Sequence, residues 1–163
     1  MSNTINICPR LLLIFLLSTT LFRATAQQEA KSSLTIAELL NSKKFVFNAQ
    51  SATPTGGRVI QLTSSYGFKL SNDSLKADLP YFGRAFSAPI SPTESPLRFT
   101  STEFTYLVQP RRKERWDVSI KPNDAREVRQ MTLNVSSSGY GSLLVISNNR
   151  QAISFYGTVT PVN

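Results

Sequence analysis

From Lys44 to the end of the chain, apolar residues recur at every second position, the period of a strand with one buried face. Phe45, Phe47 and Ala49 alternate with Val46 and Asn48; Tyr66, Phe68 and Leu70 alternate with Gly67, Lys69 and Ser71; Leu75, Ala77 and Leu79 alternate with Lys76 and Asp78. The same beat runs through Phe104, Tyr106 and Val108, then Trp116, Val118 and Ile120, then Met131, Leu133 and Val135. Ile153, Phe155 and Val159 end it, and Val59 to Thr63 and Leu143 to Ser147 supply two further strands, the latter apolar on both faces and so read as buried. Only one short stretch has a helical period. Thr35-Ile36-Ala37-Glu38 has the spacing of a capping box, and Ile36, Leu39 and Leu40 form a stripe at i, i+3, i+4. That predicts a helix ending near Ser42, packed on the sheet as a plug or lid.

The strand registers follow from the turns. With Asn72-Asp73 as a two-residue turn, where positive φ is favoured, Leu70 faces Leu75, Phe68 faces Ala77 and Tyr66 faces Leu79. A slip of one residue would turn every one of these side chains into water. With the next turn centred on Arg112, Val108 faces Trp116 and Tyr106 faces Val118. Pro54-Thr55-Gly56-Gly57, Ser136-Ser137-Ser138-Gly139 and Asn148-Asn149 supply the other turns. The count is eight or nine short strands joined mostly by tight turns, which makes neighbours antiparallel. Such a meander must hide its edges, by closing into a barrel or by folding into a two-sheet β-sandwich. The short turns favour an all-β, up-and-down barrel of about eight strands, with room inside for side chains or one small ligand.

The first 26 residues lie outside this pattern. Arg10 precedes an apolar run from Leu11 to about Phe22, and Ala24-Thr25-Ala26 is a small-x-small cleavage signal. The run is shorter than the roughly 20 residues a membrane span needs. Residues 1–26 therefore read as a cleaved signal peptide, 27–33 as a disordered lead and 34–163 as a single domain. The expected location is the periplasm or the exterior of a Gram-negative cell, with no membrane span after cleavage. The sole cysteine, Cys8, precedes the apolar run, so it cannot serve as a lipidated first residue. Removing 26 of the 163 residues leaves 137, enough to bury a core without disulfides.

Composition then excludes chemistry. The chain has no His, and beyond Cys8 no thiol. The commonest general base near neutral pH and the commonest metal ligands are missing, so no metal and no cofactor is expected. Ser-His-Asp catalysis is impossible, and neither Ser-x-x-Lys nor Gly-x-Ser-x-Gly occurs. The expectation is a protein without enzymatic activity. Eighteen Lys and Arg against ten Asp and Glu give a formal charge of +8. Without Arg10 and Arg23 it is +6. A basic exported chain with no nucleic-acid module points to an anionic envelope component or to solubility, and not to nucleic acid.

Three segments, Lys43–Ser64 (KKFVFNAQSATPTGGRVIQLTS), Leu62–Pro89 (LTSSYGFKLSNDSLKADLPYFGRAFSAP) and Leu133–Val159 (LNVSSSGYGSLLVISNNRQAISFYGTV), closely resemble the bacterial envelope family catalogued as domain of unknown function 4251. The resemblance runs from about Leu34 to Val159. It implies an exported protein with a lipocalin-like β-barrel and carries no catalytic residue with it.

Three places remain as candidate sites. In Leu79–Pro89, three rings, one Arg and two prolines crowd eleven residues. Tyr81, Phe82 and Phe86 could line a barrel mouth with Arg84 receiving an anionic head group; the alternative is a cap over the barrel end. The tip Arg111, Arg112, Lys113 and Arg115 is a cationic surface for anionic lipid or polysaccharide. Ser74, in Asp73-Ser74-Leu75, resembles an O-glycosylation acceptor at an exposed turn. Ser147-Asn148-Asn149-Arg150 reads as turn chemistry, with Asn chosen for left-handed backbone, and Tyr140 as a ring packed over bare glycine backbone. The function expected is an exported protein holding a lipid or other apolar or amphipathic ligand in its barrel; the alternative is an interaction module whose barrel is filled by its own side chains.

Overall fold

The computed structural model describes residues 35–86 and 97–162. The expected signal peptide and lead, and Ser87-Ala88-Pro89 of the aromatic segment, lie outside the described residues. The single helix α1 spans Ile36–Ser42. Its capping box is formed: Thr35 Oγ1 accepts from Glu38 N at 3.3 Å, and Thr35 N donates to Glu38 Oε2 at 2.8 Å. Those bonds from the Thr35 main chain and hydroxyl hold the Glu38 carboxyl below its ordinary range. Lys43 ends the helix in the left-handed region, φ 53°. Leu39 and Leu40 are buried, and Tyr106 Oη donates to Leu40 O at 2.8 Å, so the helix caps one end of the sheet as expected. Burial there raises the Tyr106 phenol pKa above its usual value.

Nine strands follow: β1 Lys44–Pro54, β2 Ile60–Ser71, β3 Ser74–Leu79, β4 Leu97–Ser101, β5 Phe104–Arg111, β6 Arg115–Pro122, β7 Val128–Ser136, β8 Tyr140–Ser147 and β9 Ile153–Pro161. They form one antiparallel sheet in the order β4-β3-β2-β1-β9-β8-β7-β6-β5. β4 and β5 lie at opposite edges yet are joined by only Thr102 and Glu103. Three peptide steps reach about 11 Å, so the sheet must curl until its two edges meet at that corner. Asp124 fastens the corner by accepting from Thr102 N at 2.9 Å and Glu103 N at 3.3 Å. No ladder of hydrogen bonds joins β4 to β5 among the described residues, so the barrel is curled but incompletely closed. Glycine permits the curl beside β1: a Cβ at Gly67 would strike the Phe47 carbonyl, and one at Gly157 the Asn48 carbonyl.

Leu70↔Leu75 and Phe68↔Ala77 pair as the alternation requires, and Asn72 takes φ 52°. The β5–β6 register differs from expectation by two residues. Val108 faces Val118, Tyr106 faces Ile120 and Trp116 faces Pro110, around a loop in which Lys113 and Glu114 have φ 60° and 49°. A two-residue slip keeps every side chain on its face, so alternation cannot detect it. The segments around Val59–Thr63 and Tyr66–Leu70 are one strand, β2, whose exposed middle lies opposite a bulge between Ala49 and Ser51. β4, behind a Pro-rich stretch, is the strand the pattern missed. In β8 the outward Leu144 is 37% exposed, so that strand is buried on one face only.

The inward residues form one continuous core. Phe45, Phe47, Phe68 and Phe155 are its largest fully buried rings, with Phe68 stacked on Phe47 at 5.7 Å and edge-on to Phe45 at the same separation. These rings, with Leu70, Met131, Leu133 and Leu143, fill the inside of the curl.

Candidate functional site

The end opposite the helix is built from the β1–β2 turn, the segment after β3 and the β8–β9 link. Leaving β3, the chain crosses to residues 149–151: Ala85 bridges Arg150, Phe86 N donates to Asn149 O at 2.8 Å, and Gln151 N donates to Arg84 O at 3.1 Å. The half-buried Tyr81 anchors the crossing. Its hydroxyl lies 2.9 Å from Arg84 O and 3.0 Å from Gln151 O, so its one proton is shared between two carbonyls. Burial raises the Tyr81 pKa, and the Arg150 charge opposes that shift. The Arg150 guanidinium sits 5.4 Å from the Tyr81 ring centre, and its Nε is 3.5 Å from Glu127 Oε2. Gly83 is needed under the ring, because a Cβ there would collide with the Tyr81 hydroxyl.

What remains beside this anchor is an open cleft of about 600 Å³. Pro54, Ile60 and Phe82 give it apolar wall, Arg58 and Arg84 give it positive charge, and no carboxylate lines it among the described residues. Arg84 is exposed, and its side chain has no ion pair or hydrogen bond to the described residues. Phe82 is 44% exposed at the cleft, while Phe86, 71% exposed, is not among the residues that line it. The structure thus divides the aromatic segment: Tyr81 is a cap residue, and Phe82 and Arg84 are rim residues. Arg58 and Ile60 join them from a turn that sequence reasoning treated only as a connection. The signal beside them was Gly56-Gly57, where Gly56 takes φ 73° and both glycines line the cleft.

The other predicted residues lie elsewhere. The Arg111–Arg115 tip is at the helix end, beside the β7–β8 turn, where Ser137 N donates to Glu114 O at 2.9 Å. Arg111 Nε pairs with Asp117 Oδ2 at 2.6 Å; Arg112, Lys113 and Arg115 have no ion pair among the described residues. Ser74 is half-buried and already inside β3, opposite Ser71, rather than on the turn itself. Asn148 and Asn149 are not among the residues with positive φ. Asn148 is used instead for its side chain, whose amide donates to Arg126 O at 2.8 Å. Tyr140 stacks with Tyr156, their ring centres 6.2 Å apart. Among the described residues no cluster of His, Cys, Asp and Glu could hold a metal, and no helix is long and apolar enough to cross a membrane.

A curled antiparallel half-barrel with a filled interior, a helix at one end and a cationic, apolar cleft at the other defines the class of protein. The chain belongs to the family described as Domain of unknown function (DUF4251), whose model matches residues 27–159. It is similar in fold to the crystal structure of a DUF4251 family protein from Bacteroides eggerthii DSM 20697. The TM-score is 0.57 at 13% identity, over 77% of this chain and 84% of that one. No curated protein matches the chain.

Proposed function

We propose that this chain is an exported, non-enzymatic envelope protein that binds a single-chain amphiphile with an anionic head group at its rim cleft. The observation that carries this reading is the lining of the cleft: Arg58 and Arg84 beside Phe82, Ile60 and Pro54, with no acid among the described residues that line it. Two cations on an apolar rim suit a head group at the mouth and a tail laid along the rings. Because Phe45, Phe47, Phe68 and Phe155 fill the interior, the ligand lies at the rim and not in the lumen. Export is supported by the charged, apolar and small-residue pattern of residues 1–26. Absence of catalysis is supported by the lack of His and of any Cys beyond Cys8.

Calorimetric titration with dodecanoate, dodecyl phosphate and dodecyl maltoside, each below its micellar concentration, tests the reading. The two anions should bind, and Arg58→Ala or Arg84→Ala should each weaken them about tenfold, the scale of one charged hydrogen bond. Equal binding of the uncharged maltoside, or no binding of any of the three, would refute it.

A further inference from the structure

We infer that the outer face of β1, β9, β8 and β7 is a second binding surface, one that takes a neutral polysaccharide chain by stacking on Tyr140 and Tyr156. These two rings are 50% and 48% exposed on the outside of the sheet. Their centroids are 6.2 Å apart and their planes differ by 11°. Stacked rings in full overlap would lie much closer, so at this separation the rings are strongly offset and each leaves most of a face open. Their cross-strand neighbours are short: Tyr140 sits opposite Thr158 and Tyr156 opposite Ser142. The rings therefore stand above their surroundings, where a flat ligand can reach them.

The charge pattern chooses the ligand. The chain carries +8 overall, and Lys69, Lys76, Arg98, Arg111, Arg115 and Lys121 crowd the flanking strands. Each row through the two tyrosines is uncharged across three strands. One runs Asn48, Thr158, Tyr140 and the other Tyr156, Ser142, Asn134. A lipid head group, nucleic acid or acidic polymer would favour the flanks and gain nothing here. A neutral sugar chain fits: it presents C–H bonds to the ring faces and hydroxyls to amides and hydroxyls. Asn48 and Asn134 each use a side-chain N–H on a protein partner, Thr160 and Asp117 respectively, which leaves their carbonyl oxygens to accept from sugar hydroxyls. The surface is separate from the rim cleft and does not depend on it.

The test is native affinity electrophoresis of the full mature chain in gels containing soluble neutral polysaccharides: an α-glucan, a mixed-linkage β-glucan, a mannan and a xylan. At least one should retard the wild-type protein at both low and high salt. Tyr140→Ala with Tyr156→Ala should weaken that retardation about tenfold or more, the scale of removing stacked aromatics, while Arg84→Ala leaves it unchanged. An unchanged melting temperature of the double variant shows that the surface and not the fold was lost. Three results would overturn the inference. One is no retardation by any of the four. Another is retardation that salt abolishes and the tyrosine variant keeps. The third is a concentration-dependent dimer that the variant loses, which would make the face a contact between copies of this chain.

Discussion

Replacing Arg84 with Ala and Tyr81 with Phe separates the two roles found within one short segment. Among the described residues, every hydrogen bond made at position 84 uses the main chain: its carbonyl accepts from Gln151 N at 3.1 Å and lies 2.9 Å from the Tyr81 hydroxyl. Alanine keeps both. The side chain is exposed, so Arg84→Ala should change stability by less than about 0.5 kcal/mol, as for other surface positions. Tyr81→Phe keeps the ring under Arg150 but removes the hydroxyl that serves two carbonyls, Arg84 and Gln151. Loss of one partly buried hydrogen bond costs about 0.5–1.5 kcal/mol. For a domain of this size, each kcal/mol shifts the melting temperature by about 3–5 °C. Scanning calorimetry and urea unfolding should therefore place Tyr81→Phe a few degrees below wild type and Arg84→Ala within a degree or two of it. Equal losses in the two variants, or a larger loss in Arg84→Ala, would mean that Arg84 is a buried cap, and the assignment of the cleft would fall with it.

The interior gives a second prediction: Phe47→Ala should cost about 3–5 kcal/mol in urea unfolding, because its fully buried ring stacks on the core ring of Phe68; a cost below about 1 kcal/mol would mean a hollow interior. At the β5–β6 tip, Lys113 holds φ 60° without being glycine, so Lys113→Asn should raise stability by about 0.5 kcal/mol and Lys113→Val should lower it by about 1 kcal/mol. Equal unfolding midpoints for both would contradict the reported backbone. Asp124 gives a pH signature. The Ser101 hydroxyl and the N–H groups of Thr102 and Glu103 hold its carboxyl below the usual Asp range. Its contribution is therefore complete above pH about 4, the unfolded value, and is lost as pH falls through the lower folded value. Asp124→Asn should flatten the acid limb of the stability curve, and an unchanged limb would remove Asp124 from the corner.

Most of the fold was legible because one-sided burial writes a period of two into the chain. Helix α1, the Asn72-Asp73 turn and the Leu70↔Leu75 register all follow from local residue choices. What stayed hidden has physical causes. The β5–β6 register escaped by two residues because such a slip costs no burial. β4 escaped because it has only two apolar residues, Leu97 and Phe99, on its inward face behind three prolines, too short a run to show a period. The half-closure at Thr102-Glu103 depends on the order of strands, which no local pattern encodes. At the site, the crowding of rings marked the segment but could not tell Tyr81, half-buried and hydrogen-bonded to two carbonyls, from the exposed Phe86. Arg58 and Ile60 belong to the cleft only because the β1–β2 turn folds beside it. The Tyr140–Tyr156 pair is 16 residues apart in the chain and meets only across the β8–β9 ladder.

The most direct measurement of the central claim is a backbone and methyl NMR titration of residues 27–163 with dodecyl phosphate. The account predicts saturable shifts at Gly57, Arg58, Ile60, Phe82 and Arg84, with the Leu70, Leu133 and Leu143 methyls undisturbed. Shifts centred on those interior methyls would place the ligand in the lumen, and shifts confined to Arg112, Lys113 and Arg115 would place it on the opposite end; either result would contradict the rim cleft as the binding site.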